Sequence, residues 1–345
     1  MASLKSEPLL RSLITNTNLS DSHFDPVIDK IKMDGTMEPL RPASTEEIKQ
    51  LIENYQENIP EHVQFVLILQ NILRMNTTIP EHIREEVSHR VQKTVYIPTG
   101  GNFNQSATFV AISREEDLYI MAHSLESPPY ELCNAIRTTK YIKWDLKPVF
   151  VIGGAKELQT EIHHKAFEFK LKVHTSDFIN YWIPPNEVSK LEVVVPNEVQ
   201  LKPLEKMHGE QINEWWPYRY KTSQSYIESA IQYNGSLGLF DKVSGNLVAC
   251  VFKNDLDGIA HLYTVPHCSN RGYGSTLVKA MTHLIAHDHK QHVQTFINSN
   301  NEKSIRIFEK LGFLPVNNIQ WFEWERQISG TLSLFRSSTQ SRRTV

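Results

Sequence analysis

The stretch from Gly258 to Phe313 narrows the folds open to this chain more than any other. A strand-like run, a glycine-rich turn, a helical run, a second strand and a second helix follow one another without interruption. Ile259 to Val265 reads I-A-H-L-Y-T-V, apolar with β-branched and aromatic residues, and stops at Pro266, as a strand does. His267 to Gly274, H-C-S-N-R-G-Y-G, then leads into Leu277, Met281, Leu284 and Ile285 at helical spacing. Gly272 and Gly274 permit a tight turn in which backbone approaches a ligand closely. Unpaired N–H groups and the dipole at a helix start attract phosphate, and Arg271 adds a cation there. Taken alone, G-Y-G before a helix also describes an ordinary strand-to-helix turn.

The second half of the stretch changes that balance. Val293 to Ile297 reads as another strand, and Asn301 to Phe313 spells N-E-K-S-I-R-I-F-E-K-L-G-F, with Ile305, Phe308 and Leu311 on one helix face. Gly312 stands where a helix end takes positive φ. The order strand, R-G-x-G, helix, strand, N-x-x-S-I-x-x-F-E-K-L-G-F resembles the GNAT acyltransferase superfamily. That resemblance implies an acyl-CoA co-substrate and attack of an amine on its thioester. It implies that Leu262, Tyr263 and Thr264 lie along the pantetheine arm, and that Arg271, Gly272, Tyr273, Gly274 and Ser275 hold the pyrophosphate. Asn301 matches the asparagine capping the next helix near the pantetheine, and the helix of Phe308 flanks the thioester.

Three positions depart from the family pattern. Ser269 stands where Arg or Gln begins the phosphate loop. Phe308 replaces the tyrosine often proposed to protonate the departing thiolate, and has no proton to give. Gly258 falls where many relatives place a glutamate base; the nearest substitutes are Asp257 and His261. Asp257 lies in N-D-L-D-G, which is also a turn signal in its own right. His261 has an ordinary pKa suited to a base, but a strand histidine is more often merely packed or half-exposed than catalytic.

Before this stretch, Glu205 to Tyr233 reads as two helical runs broken at Pro217, followed by strands at Leu237 to Asp241 and Leu247 to Phe252 around Ser244-Gly245-Asn246. Within it, I-N-E-W-W and S-Q-S-Y-I-E-S-A-I-Q resemble glycine N-acyltransferases and their relatives. That resemblance makes Trp215, Trp216, Tyr218 and Tyr220 candidates for the acceptor-side wall; the other explanation is core packing. In the amino-terminal half, S-T-E-E at Ser44 to Glu47 is a capping-box start for a helix through Tyr55. From Asn58, N-I-P-E-H-V-Q-F-V-L-I-L-Q-N-I-L-R-M-N resembles the glycine N-acyltransferase amino-terminal pattern, in which a helix leads through proline into an apolar strand; by periodicity alone Val63 to Leu73 could be helix or strand. Val95 to Pro98, Thr108 to Ile112, Tyr119 to Ala122 and Val149 to Ile152 read as strands, and Glu131 to Thr139 and Lys156 to Phe169 as helices. In the family this half is a degenerate GNAT-like domain; here Gly153 and Gly154 lack the R-x-x-G-x-G setting.

The expected fold is α/β in the α+β GNAT manner: a mixed, mostly antiparallel central sheet flanked by helices, two GNAT-like domains in tandem. The 345 residues suffice for two cores. Pro184, Pro185 and Pro196 mark the boundary, giving 42–190 and 198–327, with a flexible segment over 1–41 and a disordered tail over 328–345. With 36 basic and 39 acidic residues there is no field for nucleic acid or anionic lipid, and no run spans a membrane. Cys133, Cys250 and Cys268 show neither paired nor metal spacing, which suits a reducing, cytoplasmic setting; a mitochondrial one is the alternative. His283 and His287 are spaced to chelate a metal but lack an H-E-x-x-H setting, so none is expected. The expected partner is a small-molecule amine, glycine or another amino acid. The alternatives are an arylalkylamine or protein amine as acceptor, or an acyl-CoA-binding protein without turnover.

Overall fold

The computed structural model describes residues 38–100, 103–114 and 118–324. The first half of the chain contributes β1 (Leu40–Pro42), α1 (Thr45–Gln56), α2 (Val63–Thr78), β2 (Lys93–Pro98), α3 (Phe103–Ser106), β3 (Phe109–Ser113), β4 (Tyr119–His123), α4 (Tyr130–Thr138), β5 (Val149–Gly153), α5 (Lys156–Glu168) and β6 (Val173–Ile183). The second contributes α6 (Pro185–Val188), β7 (Val199–Lys202), α7 (Gly209–Trp215), α8 (Ser223–Asn234), β8 (Ser236–Asp241), β9 (Leu247–Lys253), β10 (Ile259–Thr264), α9 (Tyr273–His283), β11 (Val293–Asn298), α10 (Glu302–Lys310) and β12 (Leu314–Trp324).

Local chemistry explains several of these elements. Ser44 Oγ accepts the Glu47 N–H while the Glu47 carboxylate accepts the Ser44 N–H, closing the capping box of α1, which buries Ile48, Leu51, Ile52 and Tyr55. The run after Val63, a strand in the pattern it resembles, is instead a helix. Its periodicity is blurred because α2 is buried on nearly every side, including the polar Gln64 and Asn71.

The strands form one 12-stranded sheet in the order β1-β2-β3-β4-β5-β12-β6-β11-β10-β9-β8-β7. Only β4/β5 and β10/β11 pair in parallel; the other neighbours are antiparallel. This is the mixed, mostly antiparallel class expected, with one parallel pair in each half. The halves exchange their last strands. β6 leaves the first half to pair with β11, β12 returns to pair with β5, and the two lie side by side along ten paired positions from Leu314↔Trp182 to Trp324↔Val173. The sequence boundary at the prolines therefore follows a strand that already belongs to the other half's sheet.

The expected flexible segment over 1–41 ends in structure, since Leu40–Pro42 pairs with β2 and Leu40 is buried. Residues 1–37 and the tail over 328–345 lie outside the described residues. Among the described residues no helix is long and apolar enough to cross a membrane.

Candidate active site

The cleft begins where β10 and β11 part. They are paired only at Ile259↔Thr295, so beyond that point the β11-facing edge of β10 carries backbone groups outside any ladder. On its other edge β10 slips register against β9 between Ala260↔Phe252 and Tyr263↔Cys250, a bulge that leaves one extra residue on β10. His261 takes φ of 53° to accommodate it. An extended ligand arm can add to such an edge as a strand does. From Ala260 to Thr264 every residue of β10 is half-buried although the strand is interior to the sheet.

β10 feeds the turn Pro266–Gly272, in which Asn270 and Gly272 have φ of 63° and 81°. The turn starts α9 with no side-chain cap; its first bond runs from the Thr276 N–H to the Gly272 carbonyl, so the N–H groups of Tyr273, Gly274 and Ser275 precede the helical ladder. A Cβ on Gly274 would lie 3.8 Å from Leu262 Cδ2 and 3.9 Å from Ile307 Cδ1, which places this glycine in the crevice between β10 and α10. Arg271 is exposed beside it, with Nη2 3.5 Å from the His267 carbonyl. Tyr273 turns inward, 2 % exposed, and its hydroxyl donates to Glu198 at 2.9 Å. An open groove of about 630 Å³ continues between Asn270 and the start of α10, lined by Asn300, Asn301, Lys303, Arg306 and Ile307. Asn301 Oδ1 accepts the Ser304 N–H at 3.1 Å and caps α10. Phe308 points into the core, 3 % exposed and edge-on to Phe313, so it contributes through the helix that carries it rather than through its ring.

On the other side of β10 the aromatic residues divide. Trp215 stacks on Tyr263 with centroids 5.0 Å apart. Trp216 lies edge-on to His261 at 4.5 Å and to Tyr220 at 5.9 Å. Tyr218 is 71 % exposed and outside this cluster: the turn after α7 directs it to solvent. His261 stacks on Phe252 at 4.2 Å. Burial, reinforced by the nearby Arg90 cation, pushes its pKa down to about 3, so it is a neutral imidazole with little appetite for a proton.

Asp257 is fully committed elsewhere. Oδ1 meets Lys253 Nζ at 2.7 Å, Asn71 Nδ2 at 2.7 Å and Arg74 Nη2 at 2.9 Å, and Oδ2 accepts from Gln291 Nε2 at 3.0 Å. Burial alone would raise its pKa, but Lys253 and Arg74 hold it below the usual range. Its φ of 60° and its N–H bond to the Asn254 carbonyl are those of a turn residue. A Cβ at 258 would meet the Gln294 carbonyl and the Phe296 ring at 3.4 Å, so a side chain there would pack directly against β11.

The functional neighbourhood also holds residues that sequence reasoning passed over. Asp255, fully buried, accepts from Arg90 Nε at 3.2 Å, Lys93 Nζ at 2.8 Å and the Tyr226 hydroxyl at 3.0 Å. The Arg90 guanidinium lies between the Tyr119 and Tyr226 rings, 3.9 and 4.1 Å from their centroids, and reaches the Tyr220 hydroxyl at 3.2 Å. Two cations thus face one carboxylate behind His261, and they keep Asp255 ionised against its burial. The signal available in the sequence was charge inside apolar strand-like runs, Arg90 and Lys93 before V-Y-I and Asp255 after V-F-K, with no local partner. Among the described residues no group of three or more His, Cys, Asp or Glu is placed to hold a metal ion.

Residues 39–164 match the family described as a domain of unknown function (DUF5645), and residues 236–322 match that of FR47-like proteins. Among solved structures the chain is similar to a Drosophila protein at 20% identity and a TM-score of 0.76, over 84% of this chain and 99% of that one. It is also similar to a GCN5-related N-acetyltransferase-like protein from Streptococcus suis, at 12% identity and a TM-score of 0.46 over 82% and 100% of the two chains. A tandem GNAT protein from the clavulanic acid biosynthesis pathway is similar at 11% identity and a TM-score of 0.47, over 83% and 98%. No curated protein matches the chain. The first half of the chain is thus similar to the DUF5645 domain and the second to FR47-like proteins, and the fold as a whole to that of the Drosophila protein.

Proposed function

We propose that this chain is an acyl-CoA-dependent N-acyltransferase that moves an acyl group to a small primary amine, with glycine or another amino acid as the acceptor class. The observation that carries the proposal is the parted β10/β11 edge leading directly into the Gly272 turn. An unpaired strand edge suits the amide-bearing pantetheine arm, the free N–H groups at the start of α9 suit the pyrophosphate, and Gly274 leaves the crevice open between them. When bound, acyl-CoA would supply an activated thioester carbonyl: a C–N bond forms to the acceptor as the C–S bond breaks, the sulfur leaves as thiolate, and the proton lost by the amine nitrogen passes to that thiolate or to solvent.

The residues here position more than they exchange protons. The bulge at His261 and Leu262 presents backbone donors outside the ladder, where oxyanion charge would develop. His261 remains neutral and is a weak base, so the acceptor enters as the free amine, its ionisation opposed by the desolvated Arg90 and Lys93 cations behind the wall of Trp216 and Tyr226. Asp257, held by four donors, takes no proton.

A second reading, acyl-CoA binding without turnover, is favoured by one specific feature: neither Phe308 nor Gly258 supplies an acid or base, and Phe308 is sealed in the core. The test is mass spectrometry of acyl-amine products after mixing the protein with acetyl-CoA or benzoyl-CoA and a pool of amino acids and biogenic amines, beside a CoA titration. A product identifies the acceptor. Tight CoA binding with no product supports the second reading, and no CoA binding overturns both.

A further inference from the structure

The first half keeps a pocket at the position the cofactor groove holds in the second. The groove lies between the turn after β10 and the start of α10; a pocket of about 430 Å³ lies between the loop after β4 and the start of α5. Three antiparallel pairings separate β5 from β11, so the two parallel pairs run in opposite directions and the pocket opens at the opposite edge of the sheet from the groove. Its floor and rim include His62, His123, Ser124, Glu126, Lys156 and Glu157.

This pocket is not built for a CoA. β4 and β5 stay paired at four positions, from Tyr119↔Val149 to Ala122↔Ile152, leaving no free strand edge. The loop S-L-E-S-P-P has no glycine and no arginine, and two carboxylates against one lysine disfavour phosphate.

Its floor is instead an acceptor. Tyr55 is fully buried, and its one hydroxyl hydrogen is donated to the Ala107 carbonyl at 2.8 Å. The 3.0 Å contact of the same oxygen with His123 Nδ1 therefore has the imidazole as donor. The proton of His123 is thus on Nδ1. Nε2 keeps its lone pair and has no partner among the described residues, yet is not a sealed atom. Stacking on Phe65 at 3.8 Å, with Tyr55 edge-on and His62 tilted against it, holds the ring in place. At the rim, Glu126 Oε2 accepts the Glu131 N–H at 3.0 Å, which fixes its carboxylate at the start of α4.

We propose that this pocket binds a small primary-ammonium ligand, whose N–H groups are shared between His123 Nε2 and the Glu126 carboxylate. The site is independent of the cofactor groove and of whether the protein turns over.

The test is a titration of full-length protein carrying 13C-labelled histidine, following the ring Cε1–Hε1 resonances, with His62 and His123 assigned from the His62→Gln and His123→Gln variants. Ethylammonium is the probe. Saturable shifts at His62 and His123 are expected, with His261 unmoved. Tetramethylammonium, equal in charge but without N–H groups, is expected to shift neither. Glu126→Gln, which keeps the oxygen that caps α4, is expected to weaken ethylammonium by up to about fivefold, the effect of one partly exposed ion pair. The proposal is overturned by a response that stays linear in concentration, by an equal response to tetramethylammonium, by glycine binding more tightly than ethylammonium despite its carboxylate, or by CoA displacing the probe.

Discussion

β4 and β10 hold the same place in the two halves, each running parallel to the strand that follows it and leading into a helix, yet they present opposite surfaces. β4 pairs regularly with β3 and at four positions with β5, and all but its last residue are buried. β10 carries a bulge, pairs once with β11 and is half-buried beyond its first residue. The same fold can thus be closed or opened by one inserted residue and one lost run of pairing. The closed half then serves the open one. α2, the segment before β2 and the first residue of β2 send Asn71, Arg74, Arg90 and Lys93 to grip Asp255 and Asp257 in the turn that leads into β10.

That dependence is the first thing to break. Asp255→Ala strands Arg90 and Lys93 in the interior, and loss of one partner of a buried ionic cluster costs about 3–5 kcal/mol. Denaturant unfolding should show that loss, as a single transition if the exchanged strands make both halves one unit. Acid acts the same way only at low pH. The Asp255 pKa is lowered in the folded protein, so its contribution is present above the unfolded carboxylate value and is lost as pH falls through the folded one.

Gly272→Glu should reduce CoA affinity at least about 30-fold, since it forces a side chain into a left-handed conformation and sets a carboxylate at the proposed pyrophosphate site. Gly154→Glu, at an exposed position with open space around it in the other half, should leave the CoA titration unchanged. Equal losses would mean that the turn is not the phosphate site.

The histidines sharpen the comparison through pH. His261 and His123, one in each half, both have pKa values pushed down to about 3 by burial. The unfolded chain binds those protons more readily between about pH 6.5 and 3, so stability falls as pH drops through that window, by up to about 2 kcal/mol per ring at pH 5. Thermal unfolding across that range should show the slope, and His123→Gln should flatten it. In a kinetic profile, no inflection near 6.5 should trace to His261; one that disappears in His261→Gln would restore that residue as the base. The smallest effect belongs to Arg271→Ala: an exposed cation of this kind changes CoA affinity by about two- to fivefold.

Legibility followed distance along the chain. The Ser44 capping box, the turn at Asn254 to Gly258 and the start of α9 were readable because each is a contact among residues within about one helical turn of one another. β6 and β12, by contrast, left no mark as exchanged strands, because period and composition mark a strand without naming its neighbour. Asp257 looked like a turn residue with a spare carboxylate; only its partners, as far away in sequence as Asn71, showed the carboxylate to be occupied. Tyr218 and Trp216, two residues apart in an aromatic cluster, were indistinguishable until the turn sent one to solvent and the other to His261.

By itself, the sequence determined the α/β class, the glycine turn before a helix, and two halves of which the second carries the R-G-Y-G signature, since backbone preferences and hydrophobic period are local quantities. The tertiary structure decided which strands part, which carboxylates are consumed, and where His261 titrates. Those properties depend on desolvation and on charges brought together across more than a hundred residues, as Arg90 and Asp255 are.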